Sequence, residues 1–317
     1  MNADLFLADL EAKPAALHSL ADRLAADDPW AFAGPVRRVL FLGMGSSRYA
    51  AQVAARGLRR LGIDATAEYA SAEPAGFPAV FPAGDTLTVA ISAGGTSRET
   101  LDAVSGDFVA LTNDSGSPLA ARAAEVVPMH AGVEAGGVAC RTFQHTQLLL
   151  HALTARLSGL PVARTAELAR CTAEATEDLL DRRDDWLPRC LDLLDGGDGI
   201  YPIAPAERIS SALQSALMFR EGPRRVADGC ETGDWSHVDV YLAKTLRYRA
   251  LFFPGSRYDA EALRWLAERR STVVAVGAEV TGAAGTVRFR HDDDLGVRLL
   301  TETLIAELVA AAWWRLT

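Results

Sequence analysis

Two short segments rich in glycine and hydroxyl side chains could do chemistry: Gly43-Met44-Gly45-Ser46-Ser47-Arg48 and Ser92-Ala93-Gly94-Gly95-Thr96-Ser97. Each follows an apolar run and opens a helical pattern. Backbone N–H groups at a helix start, joined by small hydroxyls, suit an anion such as a phosphate. Taken singly, each segment also reads as a structural turn. The first departs from a dinucleotide fingerprint, because Arg48 stands where the third glycine belongs. Glu68, placed like a ribose-binding acid, keeps a nicotinamide reading open. As a pair in one sheet, the segments make a small polar crevice at the carboxyl ends of the strands, where such sheets bind ligands. A compact phosphorylated ligand needs the second segment; a nicotinamide cofactor does not.

Two further residues could move protons. Glu221 closes an apolar-striped helix (Ile209, Leu213, Ala216, Leu217) just before Gly222-Pro223. A carboxylate there faces the negative end of the helix dipole, which costs roughly 0.3–1 kcal/mol and favours the protonated form. The same glutamate also reads as a surface residue before a stop signal. His237 lies sixteen residues on, in the polar and aromatic stretch Gly233-Asp234-Trp235-Ser236-His237-Val238-Asp239. By itself it reads equally as a solvated loop histidine.

The elements that position these residues follow from hydrophobic periodicity. Leu5, Leu10, Leu17, Leu20 and Leu24 recur at helical spacing over the first thirty residues. Strands are expected at 38–43, 64–69, 86–92, 108–112 and 126–130, with helices between most of them, which predicts a doubly wound α/β domain over roughly 33–155. Residues 160–195 read as a helical connector whose acidic run (Glu167, Glu174, Glu177, Asp178, Asp181, Asp185) is a solvated face. Alternation then restarts, with strands at 200–204, 250–253, 272–277 and 286–290 and helices at 207–221, 259–270 and 296–315. The expected architecture is two doubly wound parallel-sheet units with flanking helices, divided as 1–158 and 159–317.

Composition narrows the function classes. The chain is 49% apolar, which provides for globular cores, and 41 acidic against 32 basic residues give a net charge of −9, which argues against nucleic acid as a partner. Only Lys13 and Lys244 are lysines, so any lysine amine chemistry has two candidates. No secretory signal opens the sequence. The late apolar stretch Leu304–Leu316 is broken by Glu307 and Arg315 and is too short to span a bilayer. Cys140, Cys171, Cys190 and Cys230 have no CxxC spacing and read as reduced thiols in a cytoplasmic protein, with no metal site.

Together these residues resemble the sugar isomerase (SIS) family, specifically the isomerase half of glucosamine-6-phosphate synthase and stand-alone phosphosugar isomerases and deaminases. The resemblance runs through the Gly45-Ser46-Ser47 and Ser92–Ser97 loops. It continues through Ala131-Gly132-Val133-Glu134-Ala135-Gly136, which matches the family's A-G-x-E-x-G segment, and into Phe143 with the apolar helix after it. In the second half it covers Ala212–Leu217, Glu221 and His237, with the family's sixteen-residue interval intact. The resemblance implies a sugar-phosphate ligand held by Gly45, Ser46, Ser47, Ser92, Gly94, Thr96, Ser97 and Glu134. It implies proton transfer between C1 and C2 by Glu221 through an enediol, and ring opening assisted by His237. It also implies a homodimer that shares its active site, with no metal and no organic cofactor.

The sequence departs from that pattern at several positions. The second loop of the family commonly reads Ser-x-Ser-Gly-x-Ser/Thr; Gly94 removes the middle hydroxyl. Val238-Asp239 stand where Gly-Pro usually follows the histidine, and Met218 replaces the synthase's lysine three residues before the glutamate. The sequence contains neither the synthase's lysine-bearing C-terminal tail nor its glutaminase domain, so glutamine-dependent synthesis is not expected. Carboxylate proton transfer is expected in place of an imine. A non-catalytic sugar-phosphate regulator is the alternative that the altered loops leave open.

Overall fold

The computed structural model describes residues 1–72 and 85–316. Two helices come first, α1 (Ala3–Glu11) and α2 (Lys13–Ala26). The chain then runs through β1 (Arg38–Gly43), α3 (Gly45–Arg60), β2 (Asp64–Tyr69), β3 (Thr86–Ile91), α4 (Arg98–Ala103), β4 (Val109–Thr112), α5 (Pro118–Arg122), β5 (Glu125–Pro128) and α6 (Arg141–Leu157). Two acidic helices follow, α7 (Ala163–Asp181) and α8 (Arg183–Leu194). The second alternation comprises β6 (Tyr201–Ala204), a short 3-10 turn, α9 (Ile209–Glu221), β7 (Cys230–Glu231), α10 (Thr232–Trp235), β8 (Arg249–Phe252), α11 (Asp259–Glu268) and β9 (Thr272–Val276). It closes with β10 (Gly285–Val287), α12 (Leu295–Thr301) and α13 (Thr303–Trp314).

The described residues form two five-stranded sheets, ordered β2-β1-β3-β4-β5 and β10-β9-β8-β6-β7, with every strand pair parallel. The doubly wound α/β architecture is therefore the one expected. Two interior strands are buried throughout: all four residues of β4 and all four of β6, as strands covered on both faces require. The edge strand β2, Asp-Ala-Thr-Ala-Glu-Tyr, buries only Ala65. In each sheet the chain places its second strand on one side of the first and its third on the other. This creates a switch point between β1 and β3, and a second between β6 and β8.

The chain forms two compact units. One comprises Ala15–Glu134 and Ala139–Arg170; the other comprises Met1–Pro14, Ala135–Val138 and Cys171–Thr317. They differ from a single cut after residue 158 because α1 packs with α13, bringing Phe6 against Trp314 at 5.9 Å between ring centroids. Gly136 permits this docking: a Cβ there would lie 2.5 Å from the Phe6 Cα, and the Gly136 N–H donates to Asp9 at 2.7 Å.

Three local expectations are corrected. The acidic connector is two helices and only partly a solvated face. Glu174 accepts from His291 Nε2 at 2.8 Å, and Asp178 is bound by Arg182 and by the Arg290 N–H at 3.0 Å. The Arg182 hydrogen bond holds the Asp178 carboxyl below its ordinary range. The last helix is divided at Glu302, whose buried carboxylate pairs with Arg208. Strand β7 is new, because two residues are too few to show any periodicity.

Candidate active site

The first crevice lies in the β1–β5 unit. Gly43 and Ile91 are register partners, so the loops that leave β1 and β3 start side by side. Gly43 sits in a close approach, where an added Cβ would be 3.0 Å from Ser47 Cβ and 3.4 Å from the Ile91 carbonyl oxygen. Gly45, at φ +46°, turns the chain into α3. Met44 occupies the N-cap and supplies no side-chain acceptor, leaving the start of this sixteen-residue helix without a side-chain cap. A helix start of this kind is suited to an anion. Ser46 and Ser47 are half-buried beside it.

The second loop is more internally committed. Ser92 is buried, and its carbonyl accepts from the Gly95 N–H at 3.1 Å. Thr112 Oγ1 donates to the Ala93 carbonyl at 3.1 Å. Gly94 and Thr96 face outward. The Ser97 hydroxyl caps α4, accepting from the Thr100 N–H at 3.4 Å and donating to Glu99 at 3.0 Å. Gly95, at φ +60°, is fixed by packing: a Cβ there would lie 2.0 Å from Ser117 Oγ. Gly95→Ala is therefore expected to cost about 1–3 kcal/mol in stability, from strain and clash. Thermal and urea denaturation measure this loss.

Glu134 has a role that motif matching missed. Its Oε1 accepts from the N–H groups of Cys140, Arg141 and Thr142 at 2.7, 2.6 and 3.1 Å, and Oε2 accepts from Thr142 Oγ1 at 2.7 Å. Cys140, at the N-cap, makes no side-chain cap hydrogen bond, and this carboxylate satisfies the helix start. The segment is tied further by Asn113, whose Nδ2 donates to the Gly132 carbonyl at 2.7 Å and whose Oδ1 accepts from Ala131 at 2.9 Å. Arg141 donates to the Val133 carbonyl at 2.5 Å. Arg48 lies 3.7 Å over the Tyr69 ring and donates to its hydroxyl at 2.8 Å. Both arginines thus make local contacts. The only sequence signal for Glu134's capping role was its spacing from the helix.

The proton-transfer candidates lie in the β6–β10 unit. Glu221 is the last residue of α9 and is half-buried; the helix stops at Gly222, where a Cβ would meet Trp314 at 2.9 Å. Met218, one turn earlier, is buried. His237 is exposed, with its N–H donating to the Asp234 carbonyl at 2.9 Å. Its loop is anchored on both sides. Trp235 is fully buried and donates to the Tyr248 hydroxyl at 2.8 Å, while Asp239 is buried beside Cys230. Burial and the neighbouring acid Asp228 raise the Asp239 carboxyl above its ordinary range, and burial pushes the Cys230 thiol up to about 12. His237 borders an open polar cleft of about 360 Å³ with Glu231, Asp234, Ser236, Tyr258 and Glu261; Glu221 does not line it.

Two parallel-sheet units, the first with paired anion-suited loops, are the architecture of SIS-type domains. No protein-family model matches the sequence. Among solved structures, the C-terminal domain of glucosamine-fructose-6-phosphate aminotransferase from Francisella tularensis superposes with a TM-score of 0.82 at 15% identity, over 98% of this chain and 96% of that one. Tagatose-6-phosphate ketose/aldose isomerase from Escherichia coli gives 0.77 at 15% identity, over 98% and 92%. Glucosamine-6-phosphate deaminase from Thermotoga maritima gives 0.74 at 18%, over 98% and 94%. These likenesses show the fold. The glutamine–fructose-6-phosphate aminotransferase of Aeropyrum pernix is 28% identical over 228 residues, which span 65% of this chain and 36% of that enzyme.

Proposed function

We propose that the chain is a sugar-phosphate isomerase of the aldose–ketose or amino-sugar type, acting by glutamate proton transfer. The observation that carries this reading is the first crevice, where an uncapped helix start and a second hydroxyl-bearing loop leave adjacent strands in register. The sugar-phosphate enzymes that share the fold support the same ligand class. Ser46, Ser47, Ser92 and Thr96, with the backbone at Gly45 and Gly94, hold the phosphate in this reading. Ser97 and Glu134 act there through the loops they fix. Glu221 removes the proton from C2 and returns it to C1, while a compensating proton shifts between the two oxygens, and His237 assists ring opening.

A homodimer with a shared site belongs to the same reading. Val238, Tyr241 and Leu242 are exposed apolar residues just beyond His237, and the cleft His237 borders does not include Glu221, so a second copy is a natural recipient for the histidine. No helix among the described residues is long and apolar enough to cross a membrane. A cytoplasmic setting, without cofactor or nucleic acid, completes the proposal and accords with four free cysteines and the acidic net charge.

A thermal-shift screen tests the ligand class: sugar phosphates should raise the melting temperature and nucleotides should not. The reverse result would remove the proposal. A sugar-phosphate-binding regulator is the second reading, favoured by Gly94 and by the capping role of Ser97. Turnover of any hexose phosphate would dispose of it. Lys244 is exposed, lying 5.0 Å from the Tyr241 ring centroid. Lys244→Met is expected to leave turnover within about threefold of wild type, a change worth less than 1 kcal/mol. Complete loss with intact folding would reinstate an imine route.

A further inference from the structure

The second sheet has its own switch point, and its contents differ from those of the first. Strands β6 and β8 pair Ile203 with Phe252, so the loops leaving them also start side by side. Between those loops lies Arg208, only 4% exposed, at the N-cap of the thirteen-residue helix α9. Its Nη2 donates to the Pro254 carbonyl at 2.6 Å, bridging from the first loop to the second. Its Nε donates to Glu302 Oε1 at 2.9 Å, and Glu302 is wholly buried. Arg298 and the Ser211 side chain stand beside the same carboxylate.

The backbone donors of the second loop are likewise taken. Asp259 Oδ2 accepts from the N–H groups of Gly255 and Ser256 at 2.6 and 3.1 Å. Gly255, at φ +145°, gives Arg208 its room, since a Cβ there would be 3.0 Å from Nη1. A phosphate in such a crevice would seek a guanidinium, a helix start and loop N–H groups. Here the guanidinium and the loop N–H groups already face carboxylates of the chain.

We infer that the β6–β8 crevice is a phosphate-type anion site filled from within by the Glu302 carboxylate, so that each chain offers a phosphorylated ligand one crevice and not two. The choice of ligand rests on the proposed function; the internal occupant rests on Arg208, Glu302 and Asp259 alone.

The test compares the full-length wild type with Glu302→Ala and with the double variant Arg208→Met/Glu302→Leu, using inorganic phosphate as the probe. Removing the carboxylate leaves Arg208 buried without its partner, which destabilises the fold. Phosphate should restore Glu302→Ala, raising its melting temperature on the order of 5 °C more than it raises that of wild type at a hundredfold excess over Kd. The double variant, with neither charge, should fold without phosphate and lose this extra response. The inference is overturned if Glu302→Ala responds no more than wild type, stays unfolded in phosphate, or is matched in its response by the double variant. Because the readout is a difference between variants, a wild type that binds no sugar phosphate would count against the proposed function and leave this comparison intact.

Discussion

Glu221→Gln should abolish solvent-deuterium exchange at C2 of the bound sugar phosphate while leaving its Kd within about threefold of wild type. The substitution keeps the size of a half-buried side chain at the end of α9 and removes its capacity to accept and return a proton. A positioned general base contributes about 10²- to 10⁴-fold, so turnover should fall by that factor through kcat, with little change in ligand affinity. The phosphate in this reading is held in the β1–β5 unit by Ser46, Ser47 and Ser92, which the substitution does not touch. Exchange followed by NMR in deuterated solvent reads the proton step directly. Unchanged exchange in a folded Glu221→Gln variant would remove Glu221 from the mechanism. Loss of binding would make it a ligand residue.

Lys13→Met should cost about 3–5 kcal/mol of stability, the range for removing one partner of a buried pair. The Lys13 ammonium is 1% exposed and bonds the Glu307 carboxylate, itself fully buried on α13 among Leu304, Ile305, Leu308 and Val309. Without the lysine, that carboxylate remains in an apolar interior without its cation. At about 2–4 °C per kcal/mol for a unit of this size, the melting temperature should fall by roughly 10 °C. The double variant Lys13→Met/Glu307→Leu should recover most of the loss, since well-packed apolar side chains often replace a buried ion pair at no net cost. Thermal and urea denaturation of the three proteins check this. A Lys13→Met protein within about 1 kcal/mol of wild type would show that the pair contributes little. The pair also bears on chemistry: a lysine bound and buried in this way is unsuited to forming an imine with a substrate.

Much of the fold was legible in the sequence because its signals are local. Continuous apolar runs such as Val39–Leu42 mark buried parallel strands, and the glycines at their ends mark the turns into helices. The two loops of the first crevice were legible for the same reason, since strand, Gly/Ser turn and helix are neighbours in sequence. What was not legible is how individual polar side chains are used. Ser97 and Glu134 have the residue types of ligand contacts, yet their polar atoms satisfy the starts of α4 and α6. Glu174 and Asp178 sit in an acidic run that reads as solvated, yet the 288–292 stretch supplies their partners.

The sequence by itself determined the alternation of strands and helices, the two glycine- and hydroxyl-rich loops, the interval from Glu221 to His237 and the scarcity of lysine. Periodicity, turn chemistry and spacing are properties of neighbouring residues and need no tertiary contacts. Only the tertiary structure decided that Lys13 is a buried partner of Glu307, 294 residues away, and that Arg208 meets Glu302 across 94 residues. A buried charge is tolerated only where its counter-charge is delivered by the folded chain, and no local pattern records which distant residue that will be.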